Sequence, residues 1–148
     1  MIVVSIDPGK ITGYVYIDTE KNDSLRSMEI SNWFEVGSIL EKDLDTDSEA
    51  RVVMERFIIN AGTHKKGVQD EPRDIIGLTK YITLKYTGTP VKLQTASEAK
   101  TFSTNEKLKK IGFWHTGGKG HANDAFRHLL VYMVNNRLID AKELLEDK

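Results

Sequence analysis

The chain opens with Ile2-Val3-Val4-Ser5-Ile6-Asp7-Pro8-Gly9, an apolar run that ends in a carboxylate and a turn. A short and nearly all-apolar run rich in β-branched residues predicts a strand that is buried on both faces of a sheet. Pro8 and Gly9 predict the end of that strand. A carboxylate at the end of a buried strand is costly unless something pairs with it. Asp7 is therefore either a metal ligand or a cap for the turn, and this stretch alone leaves both open.

Length and composition limit the class of protein. The 148 residues are enough for one domain with a real hydrophobic core, and we expect a single domain over residues 1–148. The chain has no cysteine, which excludes disulfides and thiolate-bound zinc. No apolar run approaches the length that spans a membrane. We therefore expect no membrane association and a cytoplasmic protein.

Charge is distributed unevenly along the chain. Residues 1–49 carry a net charge of −7, residues 50–137 a net charge of +8, and residues 138–148 a net charge of −2. A basic middle between acidic ends favours a face that binds a polyanion. The alternative is that the lysines only solvate exposed helix faces, and the charge counts do not separate the two.

The hydrophobic pattern predicts a mixed sheet with helices packed on its faces, which is an α/β fold. Three strands joined by short turns, the third over Leu25–Val36, indicate an antiparallel meander. The remaining predicted elements are a surface helix within Gly37–Ala50, a strand over Arg51–Ile59, a polar loop over Asn60–Glu71, a helix from Pro72 to about Thr87, a strand over Pro90–Leu93, short helices after capping boxes at Thr95–Glu98 and Ser103–Glu106, and a last helix from His121 to about Leu138.

Acidic side chains interrupt the predicted interior at two strands and one helix. Asp7 ends the first strand, and Glu55 lies in the fourth. His121 and Asp124 open the last helix at i and i+3, so they share a helix face. If the first and fourth strands are neighbours, all four side chains can meet around one volume. Carboxylates from separate elements are the oxygen ligands that Mg²⁺ prefers, and two such ions about 4 Å apart catalyse phosphodiester hydrolysis.

Each of these residues also has a structural alternative. Asp124 in the first turn of a helix is favourable to the helix dipole by itself, and His121 is near the helix cap. Glu55 can pair with Arg51 or Arg56 at a sheet edge. The convergence of all four at the ends of the right elements favours the metal site.

The pattern resembles the RuvC-type Holliday-junction resolvases of the RNase H-like (retroviral-integrase) superfamily. The resemblance covers most of the chain. It is carried by Ile6-Asp7-Pro8-Gly9-x-x-x-Gly13-Tyr14, by Met54-Glu55, by the strand and lysine-bearing helix from Val91 to Lys100, and by His121-x-x-Asp124-Ala125. The compact loop between Gly112 and Gly120 and the short chain are typical of a phage-type member, which would act in the host cytoplasm.

The resemblance implies a five-stranded sheet of order 3-2-1-4-5 with strand 2 antiparallel and helices on both faces. It also implies a homodimeric crossover-junction endodeoxyribonuclease of DNA recombination and repair, which uses two Mg²⁺ ions, with Mn²⁺ as a substitute. By motif position Asp7, Glu55, His121 and Asp124 take the catalytic and metal-binding roles. The resemblance makes seven lysines candidates for contacts with DNA: Lys65, Lys66, Lys100, Lys107, Lys109, Lys110 and Lys119.

Aromatic residues near these motifs are further candidates for DNA contacts. Family members often carry an aromatic wedge after the strand-four glutamate, and Phe57 is the candidate here, although Ile58 and Ile59 beside it leave open that it is buried. Phe113 and Trp114 lie in a glycine-flanked loop. They either stack on unpaired bases or anchor the loop to the core.

Two other functions fit the same residues. One is an RNase H-like nuclease acting on RNA or RNA–DNA hybrids, because no residue separates DNA from RNA. The other is a catalytically inactive module that binds branched DNA. Four intact candidate ligands argue against the inactive module.

Overall fold

The computed structural model describes residues 1–58 and 70–142. It contains five strands and, among the described residues, five helices. The strands are β1 (Ile2–Asp7), β2 (Thr12–Asp18), β3 (Arg26–Ile30), β4 (Arg51–Glu55) and β5 (Lys92–Gln94), and the helices are α1 (Trp33–Leu44), α2 (Asp70–Thr87), α3 (Ala96–Phe102), α4 (Asn105–Lys110) and α5 (His121–Asn135). Lys65 and Lys66 of the predicted polar loop lie outside the described residues.

The five strands form one mixed sheet of order β3-β2-β1-β4-β5. β2 is antiparallel to both of its neighbours, while β1, β4 and β5 are parallel. This confirms the predicted order and the antiparallel second strand. β1 lies at the centre, and all six of its residues are buried, as its continuous apolar run predicts.

Helices cover both faces of the sheet, as predicted. Because side chains alternate along a strand, Val4 and Ile6 pack with α1 and α2 on one face, in one hydrophobic cluster. Val3 belongs to a second cluster on the other face, together with Val53 and the apolar side of α5. The sheet therefore separates two cores, and α5 is the main cover of the second.

The region after β3 differs from the prediction. β3 ends at Ile30 and α1 begins at Trp33, so the strand predicted to reach Val36 is wrong. Val36, Leu40 and Leu44 are buried along one face of α1. Their spacing of four residues is helical, and it outweighs the alternation that suggested a longer strand.

The ends of three other elements also shift. The capping box at Thr95 is confirmed, with Thr95 accepting from the backbone N–H of Glu98. The next helix is capped by Thr104 instead of Ser103, because the Ser103 hydroxyl donates to the carbonyl of Arg127. The fourth strand stops at Glu55 and the last helix at Asn135.

None of the helices formed by the residues described is long and apolar enough to cross a membrane.

The first turn of α5 lies directly against β2. A Cβ atom on Gly13 would lie 1.9 Å from the carbonyl oxygen of His121 and 2.8 Å from the backbone nitrogen of Ala122. Only glycine allows this approach, because any other side chain would have to occupy space taken by backbone atoms. β2 thereby fixes how closely the first turn of α5 approaches the sheet.

The N-terminus of α5 is held by a carboxylate from β3. Glu29 accepts the backbone N–H of His121 at 2.9 Å, and it also accepts the N–H groups of Lys119 and Ala122. These donors have no partner inside the helix, so Glu29 is the cap that α5 lacks in its own sequence, where the cap position is Gly120. Partial burial would raise the pKa of Glu29, but the bonds from Lys119, Ala122 and His121 outweigh it and hold the pKa below its usual value.

We predict that Gly13→Ala lowers the free energy of unfolding by about 1–3 kcal/mol, because β2 and α5 must move apart. Urea unfolding measures the change. Gly77→Ala is the matched control: a Cβ there meets no atom within 4 Å in an exposed part of α2. The control should raise stability by up to about 1 kcal/mol. A Gly13→Ala protein as stable as the wild type would contradict the close contact.

We predict that Glu29→Gln lowers the melting temperature near pH 7 by about 2–4 °C, as expected for a loss of about 1 kcal/mol. Because the folded-state pKa of Glu29 is depressed, its contribution is present above the pKa of the unfolded state. It disappears as pH falls through the folded pKa. The melting curves of variant and wild type should therefore converge in acid. Glu41→Gln on α1 is the control, and a pH-independent difference for Glu29→Gln would argue against the ionised cap.

Candidate active site

Asp7 is the most enclosed of the predicted site residues. It ends the central strand with 8% of its surface exposed, and its Oδ2 lies 3.1 Å from Nδ1 of His121. Burial and the negative charge of Glu55 raise its pKa to about 7, with a smaller push from Asp124, while the hydrogen bond and charge of His121 oppose them. Asp7 is thus a buried carboxyl group next to other carboxylates, with a histidine as its hydrogen-bonding partner.

Glu55 ends the neighbouring parallel strand. The register pairs Ile6 of β1 with Met54 of β4, so Asp7 and Glu55 end adjacent strands at the same edge of the sheet. The side chain of Glu55 is 27% exposed. Its Oε2 lies 3.1 Å from Nε2 of His128, a residue of α5.

The first turn of α5 supplies the other two predicted residues. His121 and Asp124 lie at i and i+3, with 37% and 33% of their side chains exposed. Asp124 Oδ1 accepts from Nε of Arg127 at 3.2 Å. Arg127 also donates to the carbonyl of Ser103 and to the side chain of Asn105, so it joins α5 to the end of α3 and the start of α4.

The structure therefore brings all four predicted residues to one edge of the sheet. It does not bring three of them onto one point, since no group of three or more histidine, cysteine or acidic side chains within residues 1–58 and 70–142 is arranged to hold a metal ion. Each carboxylate instead contacts its own basic partner on α5: His121 for Asp7, Arg127 for Asp124 and His128 for Glu55.

The donor set nevertheless suits a hard divalent cation. Three carboxylates offer oxygen ligands, which Mg²⁺ and Mn²⁺ prefer. The raised pKa of Asp7 reflects burial and the repulsion of its acidic neighbours, and a cation is what would relieve that repulsion. Asp7, Glu55 and Asp124 are the residues that would hold it, and His121 remains the candidate for a fourth contact.

Sequence reasoning missed Arg127, His128 and Gln94. His128 is 1% exposed, and its Nδ1 lies 3.1 Å from the side-chain oxygen of Gln94. One signal was available in the sequence, because His128 follows Asp124 by four residues and so lies one helical turn further on. Its contacts with two strands could not be read from spacing alone.

The predicted basic residues of α3 and α4 lie on the side of the fold covered by α5, against which both helices pack. Lys100, Lys109, Lys110 and Lys119 are exposed. Lys107 donates to the carbonyl of Phe102 and lies over its ring. We call the exposed lysines of α3, α4 and the loop before α5, namely Lys100, Lys109, Lys110 and Lys119, the basic surface.

The aromatic candidates separate into two groups. Phe113 is buried and stacks on Phe126, with ring centroids 5.5 Å apart, which confirms the alternative that it anchors its loop. Trp114 is half-buried against the same core, with Lys109 over its ring. Phe57, the candidate wedge, is half-buried just after β4, whereas Ile58 is 53% exposed.

No protein-family model matches the sequence, and no curated protein matches it either. Solved structures do match. The RuvC of Thermus thermophilus in complex with a Holliday junction substrate aligns with a TM-score of 0.69 at 14% identity, over 93% of this chain and 96% of that chain. A second structure of Thermus thermophilus RuvC aligns with a TM-score of 0.67 at 15% identity over the same shares.

At this level of identity the likeness is one of fold, and it extends over nearly the whole length of both chains. The strand order, the antiparallel second strand and the helices on both faces are the features that the resemblance implied. The chain therefore has a RuvC-like fold.

Proposed function

We propose that this protein is a structure-specific endonuclease that cuts four-way DNA junctions, and other branched DNA, by metal-dependent hydrolysis of phosphodiester bonds. It would act as a homodimer, because two equivalent sites suit the two-fold symmetry of a junction. The observation that carries the proposal is the arrangement of Asp7, Glu55 and Asp124 at one edge of a RuvC-like sheet. Burial, followed by the negative charges of Glu55 and Asp124, raises the pKa of Asp7.

In this proposal the residues of the chain divide the work. Asp7, Glu55 and Asp124 hold Mg²⁺, which when bound activates a water molecule and stabilises the leaving oxygen. His121 lies beside Asp7 at the more exposed side of the site, where it can orient the attacking water or take its proton. Arg127 contacts Asp124 and His128 contacts Glu55, and these contacts hold the two carboxylates in place.

The substrate proposal rests on fold and charge together. One of the matching structures is a complex with a Holliday junction substrate. The basic surface lies on the sheet face that α5 covers, the helix that carries half of the site. Lysine contacts to phosphates position DNA without reading its sequence, so selectivity would come from the shape of the branch.

We predict that the protein makes paired, symmetric nicks in an immobile four-way junction with Mg²⁺ and none with EDTA. The assay uses strand-labelled junction, flap, linear duplex and RNA–DNA hybrid. Asp7→Asn should slow cleavage at least about 100-fold, because it removes a carboxylate ligand, while junction binding in EDTA persists. Asp45→Asn, on an exposed residue just after α1, is the matched control.

The other outcomes are equally informative. Cutting of the hybrid alone would overturn the DNA proposal in favour of a ribonuclease. Salt-sensitive junction binding without any cutting would indicate an inactive binding module. Cleavage that survives in Asp7→Asn would mean that the site has been placed wrongly.

We predict that Lys100→Ala weakens junction binding and reduces the slope of log affinity against log salt by about one unit, because one phosphate contact is lost. Gel shifts in EDTA at several salt concentrations measure the slope. Lys42→Ala is the control, since Lys42 is also exposed but lies on α1, across the sheet. If Lys100→Ala and Lys42→Ala give the same slope of log affinity against log salt, the basic surface is not part of the DNA interface.

A further inference from the structure

His128 is a buried polar residue on the face of α5 that packs against the sheet. It is 1% exposed, and its neighbours on the helix, Leu129 and Leu130, are fully buried apolar residues. A buried imidazole is costly unless both ring nitrogens find partners. Both do, and both partners are side chains at the ends of strands.

The sheet register explains why one ring reaches two strands. Glu55 and Gln94 are directly paired residues of the parallel strands β4 and β5, so their side chains leave the same face of the sheet. His128 lies over this pair. Its Nε2 is 3.1 Å from Glu55 Oε2, and its Nδ1 is 3.1 Å from Gln94 Oε1.

The direction of the first hydrogen bond follows from the chemistry of the acceptor. An ionised carboxylate only accepts, so Nε2 of His128 is the atom that carries the proton towards Glu55. The Gln94 amide can present either its oxygen or its nitrogen to Nδ1. Gln94 therefore satisfies the second nitrogen while Nε2–H stays on Glu55.

We propose that His128, supported by Gln94, is the positioning residue of Glu55. It holds one carboxylate oxygen of Glu55 in place at the sheet edge where the strands of Glu55 and Asp7 end side by side. The inference rests on the proposed function, in which Glu55 binds the metal ion. It assigns to His128 a role distinct from that of His121, which lies at the exposed side of the site and contacts Asp7.

The surroundings of His128 make it suitable for this role. Glu55 is at the last position of its strand and is partly exposed, so its flexible side chain has several rotamers available. His128 is fixed by burial within α5 and by Gln94, both on regular elements of the fold. Hydrogen-bonding partners of metal-binding carboxylates typically change metal affinity 10- to 100-fold when removed.

The test is a calorimetric titration of the full chain with Mn²⁺, without DNA. We expect His128→Leu to bind the ion 10- to 100-fold more weakly than the wild type. His128→Gln should stay within a few-fold, because its amide nitrogen can reach the place of Nε2. Leu129→Ala is the matched control: it removes buried volume from the same helix and should lower stability without changing the Mn²⁺ affinity.

A second pair of measurements separates positioning from folding. Melting of each metal-free variant shows whether it is folded, and Gln94→Leu, which leaves the imidazole in place, should weaken Mn²⁺ binding several-fold. The metal concentration that gives half-maximal junction cleavage should rise in the same order as the dissociation constants. This shift is not expected of a residue that only fills space.

Each outcome decides between the two proposals. Wild-type Mn²⁺ affinity in both His128→Leu and Gln94→Leu would overturn the positioning role and leave the proposed function intact. If His128→Leu does not fold, wild-type affinity in Gln94→Leu alone overturns it. A wild-type protein that neither binds Mn²⁺ nor cuts junctions would overturn the proposed function, and this inference with it.

Discussion

The close contact of α5 with β2 and β3 is the constraint on which the geometry of the candidate site depends. β2 contributes Gly13, whose missing side chain lets the helix backbone approach, and β3 contributes Glu29, which caps the helix from outside its own sequence. His121 and Asp124 lie in the first turn of that helix, and Arg127 and His128 in the next. A displacement of the helix start would therefore move His121 and Asp124 together with Arg127 and His128, the partners of Asp124 and Glu55.

The sequence predicted the parts of the molecule that local patterns determine. The apolar runs placed Asp7 at the end of the first strand and Glu55 within the fourth, which the structure ends at Glu55, and the i, i+3 spacing placed His121 and Asp124 on one helix face. The sheet order came from the family resemblance and is confirmed. The third strand was predicted too long because two hydrophobic patterns meet after β3. The alternation that suggested a strand is followed by the four-residue spacing that begins at Val36, the first buried residue of α1.

The contacts that surround the site could not be predicted in the same way. Glu29 belongs to a strand and caps a helix that starts about ninety residues later. Gln94 reaches His128 only because β5 pairs with β4 in one particular register. Arg127 is placed by a carbonyl at the end of α3. Each of these contacts joins elements that are distant in sequence, so spacing and propensity carry no information about them.

Within residues 1–58 and 70–142, where no group of three acidic or histidine side chains is arranged to hold a metal ion, each carboxylate at this edge of the sheet contacts its own basic partner. The pairing of Asp124 with Arg127 affects the energetic cost of binding a cation at this position. Removing one partner of an ion pair is costly when the remaining charge is enclosed and left alone, and the Arg127 side chain is only 15% exposed. A cation that drew Asp124 away from Arg127 would leave the guanidinium bonded to Ser103 and Asn105. If the proposed function holds, this exchange would replace one ion pair with a metal contact and would leave the Arg127 guanidinium hydrogen-bonded.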